Sequence, residues 1–362
     1  MGNLGTFMKG APLSKADITD EGTPFVLYGE LYTTYGEVTR SIKRRTDKIV
    51  EPQFYSKVGD VIMPTSGETP EDIATASCIM LPDVILAGDL LIYRTQKVDG
   101  RLVSFVVKNK VNKQISSVAQ GKSVVHIRAE ELSKISISYP SDAEQQKILA
   151  MLELLEDKIT KQRELIEHLK KYKRGVVKAI FSGKLNLSAE YPFEFWENKA
   201  ICECLKYEQP QKYIVATEKY DDSFTTPVLT ANKGFILGYT DEQQGIYDKG
   251  DVIIYDDFTM DMKYVTFNFK VKSSTIKMLT PTQGNDLYFM YSLLQSLELQ
   301  PEGHQRSYIS KVEPMIVQVP PYELQLHISE FLKNIDDRVV FAEKQLALLV
   351  TQKQGLMQGL FA

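Results

Sequence analysis

The chain has 362 residues, 43% of them hydrophobic and 25% charged, with 43 Lys and Arg against 47 Asp and Glu for a formal net charge of −4. Those proportions exclude a wholly disordered or collagen-like chain, and the length suggests two domains, or three, at about 150 residues each. The acidic balance does not announce a strongly basic nucleic-acid binder, no run of about 18 apolar residues offers a membrane span, and the three cysteines Cys78, Cys202 and Cys204 fit a reducing compartment without a structural metal. The opening MGNLGTFMKGAPL lacks the apolar core of a secretory signal, so a cytoplasmic location is expected.

In chain order, residues 1–139 read as β-rich, with short apolar runs between Gly, Pro, Asn and Asp turns. Within them IKRRTDK gathers Lys43, Arg44, Arg45 and Lys48, and KVGDVIMPTSGE, from Lys57, predicts a turn at Gly59-Asp60 into a strand ending in a polar loop. Residues 140–183 carry a heptad seam of Ile148, Leu152, Leu155, Ile159, Gln162, Ile166, Leu169, Lys173, Val176 and Ile180. Its steps alternate four and three, the coiled-coil period. Pro140 stands just ahead, where proline is tolerated, and a helix of about 40 residues would be about 60 Å long. The basic end, Lys170, Lys171, Lys173, Arg174 and Lys178, suits the negative pole of the helix dipole or a phosphate.

Residues 184–319 again read as β-rich. TPVLTANKGFILGY, from Thr226, resembles TPFVLYGELYTTYG, from Thr23, and DKGDVIIYDDFT, from Asp248, resembles the segment at Lys57, with Gly250-Asp251 in place of Gly59-Asp60. Lys263, Lys270, Lys272 and Lys277 cluster around Tyr264, Phe267 and Phe269. Basic groups interleaved with aromatics suit phosphate contact and base stacking, and a solvated charged face is the competing reading. Residues 320–362 carry a second seam of Ile328, Leu332, Ile335, Val339, Ala342, Leu346, Leu349, Lys353, Leu356 and Leu360.

The two helical segments align without a gap at a shift of 180. Pro140/Pro320, Gln145/Gln325, Ile148/Ile328, Leu152/Leu332, Asp157/Asp337, Leu169/Leu349, Lys173/Lys353, Gly175/Gly355 and Phe181/Phe361 are identical. The match extends upstream, where LSKISISYP and VEPMIVQVP both alternate like a strand ending at a proline. The order is therefore domain, helix, domain, helix, with helices alike and domains divergent, as expected of a common frame carrying two different recognition modules. Met151, Leu165, Tyr172 and Ala179 on the first helix, and Phe331, Phe341 and Leu348 on the second, widen the stripe beyond a two-helix seam. Such surface needs a cover, from the protein's own domains or from partner helices.

This ordered double set resembles the specificity subunit of type I restriction–modification enzymes over nearly the whole chain. The resemblance rests on Pro140, Gln145, Ile148, Leu152, Asp157, Gly175 and Phe181 with their partners 180 residues on, on the entry Phe195-Trp196, and on DDFTMDMKYVTFNFKVKSSTIKML from Asp256. One departure is visible: the first domain begins at Asn3-Leu4-Gly5 with no Trp-containing lead-in. The resemblance implies an α+β fold. Target-recognition domains at 1–139 and 184–319 would be separated by helices at 140–183 and 320–362, which pair as an antiparallel coiled coil with internal pseudo-two-fold symmetry. It implies a bipartite target in double-stranded DNA, two methyltransferase subunits docked on the coiled coil, and restriction subunits in the full complex. The methyltransferase partner would use S-adenosylmethionine; no cofactor or metal is expected in this chain, and no membrane.

No catalytic set emerges. A phosphate-binding G-x-x-x-x-G-K-[ST] and a dinucleotide G-x-G-x-x-G after a strand are both missing. Val319-Pro320-Pro321-Tyr322 mimics an amino-methyltransferase loop, but Val319 cannot accept a hydrogen bond from an amino group. The histidines at 126, 168, 304 and 327 show no metal-ligand spacing. The pairs Asp221-Asp222 and Asp256-Asp257 could serve turns or a divalent metal. The candidate DNA contacts are Lys43, Arg44, Arg45, Thr65, Ser66 and Gly67 in the first domain and Asp257, Thr259, Lys263, Tyr264 and Arg306 in the second. The candidate coiled-coil and partner surface is Ile148, Met151, Leu152, Leu155, Ile159, Leu165 and Tyr172 with Ile328, Leu332, Ile335, Val339 and Phe341. A coiled-coil adaptor with β-rich peptide-binding domains, and a metal-dependent nuclease using Asp256 or Asp257, are the readings from other classes.

Overall fold

Residues Asp142–Phe181 and Tyr322–Phe361 each form an uninterrupted α-helix of 40 residues. The computed structural model describes residues 1–119, 125–232, 234–301 and 306–361, with only the backbone of Phe361. The chain divides into two units, Met1–Lys161 with Leu346–Ala362, and Gln162–Gln345, so each unit takes half of each long helix together with one β-rich domain. Among the described residues no helix is long and apolar enough to cross a membrane.

The heptad seams bury where they were expected to, with an added row. In the first unit Leu149 and Leu152 are buried with Met357, and Ile148, Leu356 and Leu360 pack beside them. In the second, Val176, Val177 and Ile180 share a core with Leu324, Ile328, Leu332 and Ile335. Leu149, Val177, Leu324 and Met357 lie off the seam because each helix also covers the domain beside it. In the second unit the partners run from Ala342 to Asp336 as the first helix advances from Gln162 to Lys173, which is antiparallel pairing. Gln162 donates to the Ala342 carbonyl at 2.9 Å, and these two positions are equivalent under the shift of 180.

The same equivalence governs the charges. Lys173 pairs with Asp336 at 2.6 Å in the second unit, and Lys353 pairs with Glu156 in the first. Asp336 stands 180 residues after Glu156, so one repeat-related ion pair is built twice. Lys353 also reaches Glu37 at 3.2 Å. Burial opposes charge on Glu37, but Lys108 and Lys353 hold its carboxyl below the usual range; burial likewise opposes charge on Lys353, and Glu37 and Glu156 raise it.

The two β-rich domains, so different in sequence, share a strand plan. In the first unit the sheet runs Gly5–Lys9, Leu90–Thr95, Asp60–Pro64, Ser77–Ile79, Val38–Thr39. In the second it runs Leu205–Glu208, Ile276–Pro281, Val252–Asp256, Met262–Val265. The strand pairs within the first four are antiparallel in both. Beside each sheet lies a parallel pair, Thr23–Leu27 with Ile85–Ala87 and Thr226–Leu229 with Lys270–Val271. The Thr-Pro segments similar in sequence thus start equivalent strands. Gly59 and Gly250 have φ of +94° and +90°, the left-handed region open to glycine, and each leads into its strand as expected.

Gln145 and Gln325 explain why a glutamine recurs at the start of both helices. Each is buried. Gln145 donates to the Pro140 carbonyl at 3.1 Å and accepts from the Asp99 N–H at 3.0 Å. Gln325 donates to the Pro320 carbonyl at 2.9 Å and accepts from the Asp286 N–H at 2.9 Å. Asp99 and Asp286 are the N-caps of Gly100–Asn109 and Leu287–Ser296, so the glutamine ties each long helix to the cap of a core helix in its own unit. Replacing Gln145 or Gln325 with Leu leaves a buried N–H and a buried carbonyl without partners. The expected loss is about 1–3 kcal/mol in either case, read as a lower unfolding midpoint, with the two variants alike.

One expected strand is absent. Ile316–Val319 forms a strand against Glu197–Ala200, whereas residues 135–140, which alternate in the same way, are not in a strand. A strand needs a second strand to meet its N–H and carbonyl groups, and among the described residues none lies beside 136–139. The flanking hydrogen bonds are nonetheless conserved between the units: Ile201 N–H to Met315 O and Cys202 N–H to Glu313 O, with Met1 N to Ile135 O and Gly2 N–H to Ser133 O. In the second unit Trp196 is buried against Phe181, Phe193 and Phe289, and its ring N–H donates to the Tyr191 carbonyl at 3.3 Å. This lead-in closes the end of the first long helix.

Candidate nucleic-acid interface

The first unit contains a cleft of about 1610 Å3. Its walls are the end of Gly5–Lys9 and the loop after it, the turn Tyr28–Glu30, the strand-end loop Thr65–Ser66, the turn Gly88–Asp89, and His126–Glu131. Three candidates from the sequence meet there, Arg44, Thr65 and Ser66, and they join Lys9, Lys15, His126 and Arg128, which sequence reasoning missed. The cleft is not purely basic: Glu30, Asp89, Glu130 and Glu131 also line it.

Three candidates turn out to be structural in part. Arg44 is half-buried and pairs at 2.8 Å with Glu30, which also accepts from the Leu27 N–H. Ser66 is buried, with its hydroxyl 3.4 Å from Asp89 Oδ2 and 3.2 Å from His126 Nδ1, and its carbonyl accepts from the Tyr32 hydroxyl at 2.6 Å. Gly67 is buried, and a Cβ there would meet Asp72 Cβ at 2.9 Å, so its lack of a side chain serves packing. Lys43 and Arg45 are exposed, and Arg45 donates to the Gly22 carbonyl at 2.8 Å.

In the second unit the loop after Val252–Asp256 corrects the expectation more sharply. Asp257 is 2% exposed. One oxygen accepts from the N–H groups of Ser307 and Tyr308, at 3.0 and 2.8 Å, and the other lies 3.1 Å from the Lys277 ammonium. It has nothing left for a base edge. Asp256 is likewise spent, on the N–H groups of Phe258 and Thr259 and the Thr275 hydroxyl, so this carboxylate pair serves the turn. Tyr264 packs edge-on to Tyr288 and near Tyr291, with its hydroxyl on Asp251 at 2.6 Å, and so belongs to the core side of its strand. The lysine cluster also dissolves: Lys277 is buried on Asp257, Lys270 is buried on Glu242 at 2.9 Å, and Lys272 meets Glu218. Lys270 and Lys277 lie in strands whose alternation turns them toward acids distant in sequence. Thr259 and Arg306 remain exposed and Lys263 half-exposed around this loop. His304 lies outside the described residues.

The loops of the two units correspond in detail. The Ile127 N–H donates to the Thr65 carbonyl at 3.1 Å, and the Ser307 N–H donates to the Asp257 carbonyl at 3.2 Å. Residues 127 and 307 are 180 apart, so His126 and Arg306 occupy the same place beside the loop that ends the Gly-Asp strand. Extending the shift of 180 upstream of the helices would have found His126 from the choice of Arg306.

On the long helices, Met151, Leu154 and Leu348 are exposed in the first unit, and Leu165, Tyr172, Val340 and Phe341 in the second, with Phe341 at 64%. The predicted extra row is therefore uncovered by the protein's own domains, except that Phe331 and Ala179 are half-buried.

Comparison with known proteins bears on both surfaces. The sequence model of the type I restriction modification DNA specificity domain matches residues 91–171. A curated type I restriction enzyme specificity subunit from Escherichia coli is 47% identical over 124 residues, which is 33% of this chain and 31% of that protein. Over these segments the chain is similar to type I restriction–modification specificity subunits. The crystal structure of the type I restriction–modification S subunit from M. genitalium superposes with a TM-score of 0.64 at 16% identity, covering 100% of this chain and 94% of that one. A chain from a structural study of complex assembly and conformational transition of the type I R-M system gives 0.57 at 15% identity, covering 99% and 96%. These two share the fold of this chain. The match to the curated S subunit spans about a third of that protein's length, and the family model applies from the strand Leu90–Thr95 into the first long helix.

Proposed function

We propose that this chain is the non-catalytic DNA-specificity subunit of a type I restriction–modification system, reading a bipartite target in double-stranded DNA with one half-site per unit. The observation that carries the reading is the twice-built site: one strand plan, one Gly-Asp turn and one hydrogen-bonded loop in each unit, bearing different side chains at equivalent positions. A repeated scaffold with unlike surfaces is what two different half-sites require. Lys9, Lys15, Lys43, Arg45 and Arg128 in the first unit, and Lys263 and Arg306 in the second, suit phosphates, while Thr65, Thr259 and His126 suit base edges. The exposed apolar rows on the long helices would dock one methyltransferase subunit per unit, two in all, with restriction subunits joining through them, and S-adenosylmethionine would be held by the methyltransferase. The commitment of Asp256 and Asp257 to the turn weighs against a nuclease built on them, and salt-dependent duplex binding separates DNA recognition from a peptide-binding adaptor.

The test is an exchange of residues 196–310 for the corresponding domain of another S subunit, followed by mapping of methylated bases in cells carrying the whole complex. One half of the methylated motif should change while the other half and the spacer stay constant. A change in both halves at once would refute the modular reading.

A further inference from the structure

Arg44 is set apart from the cations beside it by a carboxylate. Residues 43–46 run alongside the strand Thr23–Leu27, with Thr46 opposite Thr23 and Arg45 opposite Pro24, and the Arg44 carbonyl accepts from the Phe25 N–H at 3.1 Å. Side chains alternate along such a segment. Lys43 and Arg45 are exposed and meet no acid among the described residues. Arg44 lines the first unit's cleft and is joined to Glu30.

That contact uses only one edge of the guanidinium. Arg44 Nε donates to Glu30 Oε1 at 2.8 Å, and Glu30 Oε2 is taken by the Leu27 N–H at 3.1 Å. Glu30 is buried, so its carboxylate is fixed and in turn fixes the plane of the half-buried guanidinium. Nη1 and Nη2 have no partner among the described residues. What Arg44 presents to the cleft is therefore a planar, two-pronged donor held in place before any ligand arrives.

Two kinds of acceptor in DNA fit such a fork, the oxygens of a phosphate and O6 with N7 of guanine. Charge decides between them. The Arg44–Glu30 pair carries no net charge, and the Glu30 carboxylate repels a phosphate brought up to the guanidinium. A neutral base edge meets no such repulsion. Lys43 and Arg45, with no acid beside them, suit the phosphates.

The second unit supplies an internal contrast. Its strand Thr226–Leu229 pairs with Ile236–Thr240, placing Thr240 opposite Thr226, Tyr239 opposite Pro227 and Gly238 opposite Val228. Thr46 and Thr240 are both fully buried at matching places. Gly238 therefore stands where Arg44 stands in the first unit, and a Cβ there would meet Tyr220 Cβ at 2.7 Å. The fork belongs to one half of the protein only.

We infer that Arg44 reads a guanine in the half-site of the first unit, with Nη1 and Nη2 donating to O6 and N7, and that Glu30 is the positioning residue that aims the fork. This rests on the reading of the chain as a DNA-specificity subunit.

The experiment maps methylated motifs in cells carrying the whole complex, with wild-type or variant chain, and measures for the full chain its unfolding midpoint and its affinity for a mixed-sequence duplex against salt. The half of the wild-type motif that survives exchange of residues 196–310 should contain a G·C pair. Arg44→Lys keeps a cation for Glu30 but has no fork, and should lower discrimination at that one pair by roughly tenfold to a hundredfold while every other position stays strict. Arg44→Gln should move the preference at the same pair toward A·T, because a carboxamide matches adenine N6 and N7. Glu30→Gln leaves the fork in place but loosely held, and should relax the same pair by a smaller factor with mixed-sequence affinity unchanged, an effect that a carboxylate serving the fold alone would not produce. A surviving half without a G·C pair, or a motif that stays strict in all three variants, overturns the inference. So does an equal loss on every sequence in Arg44→Gln with the salt slope lower by about one, the mark of a phosphate contact. If the three variants lose methylation only in step with a lowered unfolding midpoint, the pair is structural and the inference fails likewise. In each of these cases the functional reading stands. Absence of any sequence-specific methylation by the wild-type complex would overturn both.

Discussion

Leu152→Asp or Leu332→Asp is expected to unfold the unit that contains it. These residues occupy equivalent positions in the two helices, and each is 0% exposed. Truncating such a leucine to alanine already costs about 2–5 kcal/mol. An aspartate adds a carboxylate with no cation beside it, and an unpaired buried charge costs several kcal/mol more. Against a total stability of about 5–15 kcal/mol, either substitution removes most of the margin. Leu165→Asp supplies the contrast. That side chain is 46% exposed, so the variant should keep the wild-type unfolding midpoint while losing affinity for whatever covers the apolar row. A wild-type midpoint for Leu152→Asp would contradict the antiparallel seam.

Asp257→Ala is the second large effect, and it separates a structural carboxylate from a base-reading one. Lys277 is 1% exposed and has the Asp257 carboxylate at 3.1 Å. Its other partners are weaker, the Gln209 side-chain Oε1 at 3.3 Å and the face of Tyr207. Removing the carboxylate strands the ammonium in the interior and frees the Tyr308 N–H as well, while the Ser307 N–H keeps the backbone carbonyl of residue 257. Breaking a buried pair in this way costs about 3–5 kcal/mol. Asp257→Asn retains an acceptor for the two N–H groups and should lose less. Replacing Asp257 and Lys277 together with apolar residues should recover part of the loss, because no charge is then left unpaired. Chemical denaturation of the three variants gives the order. A carboxylate that read a base would behave differently: Asp257→Ala would leave stability intact and change the methylated motif at one position.

How much was legible in advance depended on the range of the interaction. The two 40-residue helices and the repeat-related glutamines were readable, and the family resemblance implied antiparallel pairing, but the register of Gln162 with Ala342 came from the structure. A heptad is a local period, and a shift of 180 lays one helix on the other residue by residue. The Gly59 and Gly250 turns were readable for the same reason, since a left-handed backbone ahead of a strand selects glycine at that one position. The fate of the strand expected at 136–139 was not, because its alternation matches that of Ile316–Val319 and only the presence of Glu197–Ala200 distinguishes them.

The charges could not be read from their neighbours in sequence at all. Lys263, Lys270, Lys272 and Lys277 look like one basic patch along the chain. In the fold Lys270 and Lys277 turn inward to Glu242 and Asp257, and Lys272 to Glu218. The shared strand plan of the two domains was visible in sequence only at two short segments, because a sheet constrains the burial pattern of its strands far more than the identity of its loops. Local periodicity therefore determined the frame of this protein from sequence alone. Which polar side chains face solvent, and that His126 and Arg306 stand in the same place, were decided only by tertiary structure, because a buried polar group is settled by a partner that lies tens to hundreds of residues away.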